Sequence, residues 1–170
     1  MNPDRQAELV ARFEGLFDRY HKPILNYLYR LLGDAANAEE VAQDVFVKAY
    51  NALAGLPDGA NDRAWLYRIA TNTAYDLLRR RKLIEWLPLL DRDSLNVPDR
   101  DLQRAVGERE AVQNALNKLP LKYRVPLVLY GVQGYSVAEV AEMMGLSEGT
   151  VKTRLYRARE RFREVYGGDV

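Results

Sequence analysis

Cysteine is absent from the 170 residues, which removes disulfides, thiolate metal sites and cysteine nucleophiles together. Histidine is nearly absent: His21 is the only one. It stands beside Pro23, at an expected helix break, where a surface or capping role suits it better than metal ligation. No stretch approaches the ~18 apolar residues that a bilayer-spanning helix needs. The polar start, Met-Asn-Pro-Asp-Arg-Gln-Ala-Glu, has no apolar core of a secretion signal. These absences predict a cytoplasmic protein without membrane insertion. Neither a Walker-type phosphate loop nor a nucleophile elbow occurs. Glu39 and Glu40 are adjacent, so on a helix they point about 100° apart and cannot jointly hold a metal. The expectation is therefore a protein with no catalytic site, no metal and no cofactor. Strand-like alternation and internal repeats are missing too.

The net charge of +1 hides a strong segregation. Asp34, Glu39, Glu40 and Asp44 form an acidic stretch relieved only by Lys48. Arg63, Arg68, Arg79, Arg80, Arg81 and Lys82 form a basic one, and the last fifty residues end on a second basic helix. Two basic helices and one acidic helix suggest two nucleic-acid surfaces and a separate face for a protein partner.

The apolar spacing predicts an all-α chain. Residues 4–32 carry Leu9, Phe13, Leu16, Phe17, Tyr20, Ile24, Leu25, Leu28, Leu31 and Leu32 at helical intervals, with Pro23 expected to split the segment in two. Gly33 ends it, and Asp34 or Asn37 can cap a second helix along Val41, Val45, Ala49 and Leu53. The loop Gly55 to Asn61 precedes a third helix that starts at Asn61 or Asp62. Prolines and aspartates interrupt the periodicity from about Leu87. The expected organisation is two small helical domains, residues 1–86 and 108–170, joined by a flexible linker at 87–107, from which Trp86, Leu87, Leu89 and Leu90 can dock on another surface.

The most specific pattern lies near the C-terminus. Val137, Val140, Ala141 and Met144 give a first helix one buried face. Gly145 stops that helix, since glycine takes the left-handed conformation cheaply. Ser147 can cap a second helix with Val151, Leu155, Ala158 and Phe162 inside. Helix, glycine turn and capped second helix make a helix-turn-helix. Its second helix carries Lys152, Arg154, Arg157, Arg159, Arg161 and Arg163, a cationic surplus suited to DNA.

On the third helix, Leu66, Ile69, Ala70, Thr73, Ala74, Leu77 and Leu78 share one side, while Trp65, Arg68, Asn72, Tyr75 and Arg79 share the other, with Arg80 close by. Rings stack on unpaired bases, arginines neutralise phosphates and an asparagine can read a base edge. That combination suits opened DNA better than intact duplex, although Trp65 and Tyr75 could instead pack against a neighbouring helix.

The segments Asp34-Ala-Ala-Asn-Ala-Glu-Glu-Val-Ala-Gln-Asp-Val-Phe-Val-Lys-Ala-Tyr, Arg63-Ala-Trp-Leu-Tyr-Arg-Ile-Ala-Thr-Asn, Leu119-Pro and the final helix-turn-helix resemble the extracytoplasmic-function class (group 4) of sigma-70 family factors of bacterial RNA polymerase. The resemblance implies a first domain, region 2, that binds the core polymerase and melts the −10 promoter element. It implies a second, region 4, that reads the −35 element. Glu39, Glu40, Gln43, Asp44 and Lys48 fall where the family docks on the β′ clamp helices. Region 4 is expected to meet the β flap. Asn72 falls where the family reads the opened −10 strand, and residues 55–61 correspond to a loop that holds a flipped base. That loop here departs from the family pattern. Lys152, Thr153, Tyr156 and Arg157, with Glu148, Gly149 and Thr150 ahead of them, fall at the −35 duplex. The implied partners are core polymerase, promoter DNA and an anti-sigma factor, in a stress or envelope response. With no long extension after Val170, self-regulation through an added C-terminal domain is not expected.

Two other readings compete. A stand-alone helix-turn-helix regulator accounts for the C-terminal part but not for the face from Trp65 to Arg79. A helical hydrolase using magnesium needs carboxylates converging from several helices, and no second acidic helix is present.

Overall fold

The computed structural model describes residues 2–86 and 107–167. Most of the expected linker therefore lies outside the described residues, together with the expected docking of Leu87, Leu89 and Leu90. The described chain is helical, as the spacing predicts. Its elements are α1 (Pro3–Leu32), α2 (Ala35–Leu53), α3 (Asp62–Trp86), α4 (Glu108–Lys118), α5 (Leu121–Leu127), α6 (Val137–Met144) and α7 (Glu148–Gly167). A π-type turn, Val128–Val132, continues α5.

Local chemistry sets the helix ends. Asn2 caps α1 ahead of Pro3, whose missing N–H costs nothing at the first turn. Gly33, at φ 72°, ends α1 by donating its N–H to the Tyr29 carbonyl at 2.8 Å. Asp34 caps α2 by accepting from the Asn37 N–H at 2.8 Å, and Asn61 does the same for α3 through Ala64 at 3.0 Å. Ser136 and Glu139 form a reciprocal capping box on α6. Gly145, at φ 65°, closes α6. Ser147 then caps α7 through the Thr150 N–H at 3.2 Å.

The expected break at Pro23 does not occur: α1 runs unbroken through it. A proline inside a helix costs about 3 kcal/mol, but Leu16 is buried on one side of it, and Ile24, Tyr27, Leu28 and Leu31 are buried in the main core on the other. Burying a side chain of that size contributes roughly 1.5–3 kcal/mol, so the packing outweighs the proline. The helix-break setting assigned to His21 falls with the break. The imidazole instead lies 4.6 Å from the Phe17 ring and 5.7 Å from Phe46, between centroids.

Both expected helical groups are present, α1–α3 and α4–α7, and they pack on each other through one continuous core. Tyr27 and Tyr67, both fully buried, pack at 5.2 Å between centroids with their ring planes tilted by 58°. Tyr67 meets the ring of Tyr135, from the other group, at 5.3 Å. Burial raises the pKa of both Tyr27 and Tyr67 above the ordinary tyrosine range. At the end of α1, Gln113 of α4 donates to the Arg30 carbonyl at 3.2 Å, and the buried Arg124 of α5 donates to the Leu31 carbonyl.

Within α7, neighbouring positions have opposite fates. Leu155 is 3 % exposed and Tyr156 64 %. Leu155→Ala should cost about 2–5 kcal/mol, read as a lower urea midpoint. Tyr156→Ala should stay within about 0.5 kcal/mol of the parent. Equal costs at the two positions would contradict the register of α7.

Candidate nucleic-acid and polymerase interfaces

The outward strip of α7 follows from its inward one. Val151, Leu155 and Ala158 are buried, so Glu148, Gly149, Thr150, Lys152, Thr153, Tyr156 and Arg157 all face outwards. The Thr153 hydroxyl donates back to the Gly149 carbonyl at 3.0 Å. Around the start of α7 lies a groove lined by Lys122, Tyr123, Ser147, Thr150, Arg154 and Arg157. The Arg157 guanidinium beside the Tyr123 hydroxyl, with Lys122 and Arg161 nearby, draws the tyrosine pKa below its usual value. Lys122 and Arg161 also sit 5.0 Å and 4.9 Å from the centre of the Tyr123 ring. A capped helix N-terminus flanked by cations suits a phosphate oxygen. Lys122 was not anticipated from sequence; it comes from α5, and only the fold brings it to α7.

On α3 the wheel separates the two sides well. Leu66, Ala70, Thr73 and Ala74 are buried, and Ile69, Leu77 and Leu78 are partly so. Opposite them, Arg68, Asn72, Arg79 and Arg80 are exposed. Arg79 lies 3.8 Å from Asp76 one turn earlier. Trp65 and Tyr75 differ from the simple wheel: both are half-buried and pack against the core. Neither ring stands out as a bare stacking platform. Burial raises the pKa of Tyr75, against the pull of Arg154 and Arg124. Arg68 is engaged as well, donating to the Glu142 carbonyl of α6 at 2.6 Å.

The acidic strip is a product of α2 periodicity. Val41, Ala42, Val45, Phe46 and Ala49 are buried, which leaves Glu39, Glu40, Gln43 and Asp44 outside. Lys48 is exposed too, but its ammonium donates to the Thr73 hydroxyl of α3 at 3.1 Å. Beside the acids lies an apolar flank that the sequence reading placed partly in the core. Phe17 is 39 % exposed, Tyr50 43 % and Val47 60 %. Phe17 packs on Phe46 at 4.9 Å, and Phe13 on Tyr50 at 5.2 Å. Val47 and Tyr50, three residues apart on the far side of Ala49, were the available signal for this surface.

Among the described residues, no three His, Asp or Glu side chains converge as metal ligands. No described helix is long and apolar enough to cross a membrane.

The chain is similar to known proteins over nearly its whole length. The family profile described as Sigma-70 region 2 matches residues 16–84, and that described as Sigma-70, region 4 matches residues 109–162. The chain is 38 % identical to the ECF RNA polymerase sigma factor SigM of Mycobacterium tuberculosis, covering 95 % of this chain and 84 % of that one. It is 32 % identical to the ECF RNA polymerase sigma factor SigW of Bacillus subtilis, covering 89 % and 87 % respectively. Among solved structures, the sigma factor RpoE of Bartonella quintana, crystallised with the anti-sigma factor NepR, superposes with a TM-score of 0.73 at 26 % identity. That match covers 94 % of this chain and 99 % of the other.

Proposed function

The chain belongs to the extracytoplasmic-function class of sigma-70 family factors of RNA polymerase, and on that premise we propose a division of labour among its outer surfaces. Residues 1–86 bind core polymerase and open the −10 element. Residues 108–170 read the −35 element, and 87–107 tether the two. The carrying observation is that three outward strips of different chemistry stand on three helices: acidic on α2, cationic with an amide on α3, cationic with hydroxyls on α7.

Glu39, Glu40, Gln43, Asp44 and Lys48 dock on the β′ clamp helices, with the apolar flank at Phe17, Val47 and Tyr50 extending the contact. Region 4 reaches the β flap. Glu148, Gly149, Thr150, Lys152, Thr153, Tyr156 and Arg157 meet the duplex, with Lys122 holding a neighbouring phosphate. Arg68, Asn72, Arg79 and Arg80 meet the opened strand, edged by Trp65 and Tyr75. The complex of the Bartonella relative supports a regulatory anti-sigma partner here too, in a stress or envelope response. The protein works where the polymerase and chromosome are, in the cytoplasm.

Reversing Glu40 and Asp44 to lysine tests the docking. Each lost exposed contact is worth up to about 1 kcal/mol, so affinity for core polymerase should fall roughly tenfold. Circular dichroism should be unchanged. Parental affinity in this double variant would remove α2 from the polymerase interface.

A further inference from the structure

The loop between α2 and α3, residues 54–61, carries Asp58 and leads into Asp62 at the first position of α3, with no lysine or arginine among them. Both acids face the same cation from another helix. Arg12 of α1 donates from Nη2 to Asp62 Oδ1 at 2.8 Å, and its Nη1 lies 3.9 Å from Asp58. The two contacts differ in strength. Arg12 and Asp62 keep 27 % and 32 % of their side chains exposed, whereas Asp58 is fully exposed. Water and salt screen the Asp58 contact, so the bond to Asp62 is the firm one.

Arg12 acts from a fixed base. Its neighbour Phe13 sets its ring edge-on to Tyr50 at 5.2 Å, and Gln6 donates to the Tyr50 hydroxyl at 3.3 Å, so α1 is held against the last turn of α2. The loop itself turns on three backbone hydrogen bonds, from Gly55 to Ala52, Leu56 to Leu53 and Ala60 to Pro57, at 3.1, 3.1 and 3.2 Å. Gly59, at φ 79°, supplies the left-handed step, and a Cβ there would meet nothing within 4 Å. Pro57, Asp58 and Gly59 are all exposed. The guanidinium of Arg12 ties this open tip, through Asp58 and the following Asp62, to α1.

The loop leads straight into the strand-reading face. Its last residue, Asn61, caps α3, and Trp65, Arg68 and Asn72 follow on successive turns. At ~1.5 Å per residue, Asn72 stands about 15 Å from the end of the loop. We infer that Arg12 is a positioning residue for reading the −10 strand. It touches no base; by gripping Asp62 and drawing in Asp58 it sets where the loop stands at the end of the α3 face. It also offsets two carboxylates that would otherwise repel the phosphates of the strand. A loop already in place favours the base that fits it, whereas a loose one must be ordered on binding and discriminates less. The inference rests on the assignment of α3, with the loop ahead of it, to the opened strand.

Reconstituted holoenzyme carrying Arg12→Ala, Arg12→Lys, Asp62→Ala or the double change Arg12→Ala/Asp62→Ala tests this. Each is offered single-stranded DNA randomised over the −10 element, and the bound fraction is sequenced. Arg12→Ala should weaken base preference at one position roughly fivefold, the effect of losing one partly exposed charge-assisted bond. Asp62→Ala should weaken it at the same position, which carries the comparison from the other side of the pair even where loss of Arg12 loosens α1. The double variant should lose no more than Arg12→Ala, because two changes to one pair do not add. Arg12→Lys should recover part of the preference, since an ammonium serves one carboxylate at a time. Gly59→Val, which strains the loop at its positive φ, should alter the same position, and Asn72→Ala a different one. Parental preference in Arg12→Ala and Asp62→Ala, beside a changed one in Gly59→Val, would overturn the role of Arg12 and leave the loop as a reader. Parental preference in all three would remove the loop from strand reading, and the positioning role with it. A uniform loss of affinity across all sequences would also overturn it, since that is the mark of a phosphate contact.

Discussion

Alanine at Asn72 should slow open-complex formation and relax base preference in the −10 element, while closed-complex affinity stays near that of the parent. The side chain is exposed on α3, between Arg68 and Arg79 on the same flank. An amide on a helix that lies outside a closed duplex has no unpaired base edge to reach; it acts only when the strands part. A well-placed amide–base pair discriminates by about 1–3 kcal/mol, so the loss should be roughly 5- to 150-fold in promoter opening. Arg157→Ala should do the reverse. It removes a cation from the middle of the −35 helix, lowers duplex affinity, and reduces the salt dependence of binding by about one ion. It also takes away the cation that does most to hold the Tyr123 pKa down, so that pKa should return toward the ordinary tyrosine value from below. Permanganate reactivity of the melted bubble, beside duplex binding by reconstituted holoenzyme, measures both. An Asn72→Ala protein that lost duplex binding yet opened DNA normally once bound would contradict the assignment of the two helices.

What could be read from sequence was whatever depends on neighbours along the chain. The caps at Asp34 and Ser147 and the left-handed glycines at 33 and 145 are local, and all stand where the spacing put them. The buried stripe of α7 is equally local. The misses share one cause: a wheel tells which side of a helix is apolar but not what covers it. Trp65 and Tyr75 sit on the polar side of α3, yet both are half-buried against the core. Phe17 sits on the apolar side of α1, yet α1 and α2 leave it 39 % exposed. Pro23 was read by its local cost, which tertiary burial on both sides overrides. The π-type turn Val128–Val132 is not local in origin either; there the Gln133 N–H reaches five residues back to Val128 at 2.9 Å. The acidic strip of α2 was legible because exposure needs no partner. Its apolar flank was not, because it depends on how closely two helices approach.

Arg124 is the residue least legible in sequence and should be among the costliest to lose. In Leu121-Lys-Tyr-Arg-Val-Pro-Leu it looks like an ordinary surface charge, yet it is 8 % exposed. Its guanidinium donates to the carbonyls of Asn117 at 2.7 Å and Leu119 at 2.8 Å, and across to that of Leu31 at the end of α1. It thereby satisfies the orphan carbonyls of two helix C-termini at once. Arg124→Met keeps the aliphatic stem but strips these acceptors of their donor, and each buried carbonyl left bare costs about 1–3 kcal/mol. The total should be about 3–5 kcal/mol, seen as a melting temperature lower by roughly 10 °C. Arg124→Lys should rescue only part of this, because a point ammonium cannot reproduce a planar fork serving several carbonyls. The contrast with Glu142→Ala is informative, since that change removes only an exposed carboxylate that accepts from the Asn61 amide at 3.0 Å and should leave the melting temperature nearly unaltered. A parental urea midpoint in Arg124→Met would mean that water replaces the guanidinium without loss, and that the α1–α5 junction does not depend on this side chain.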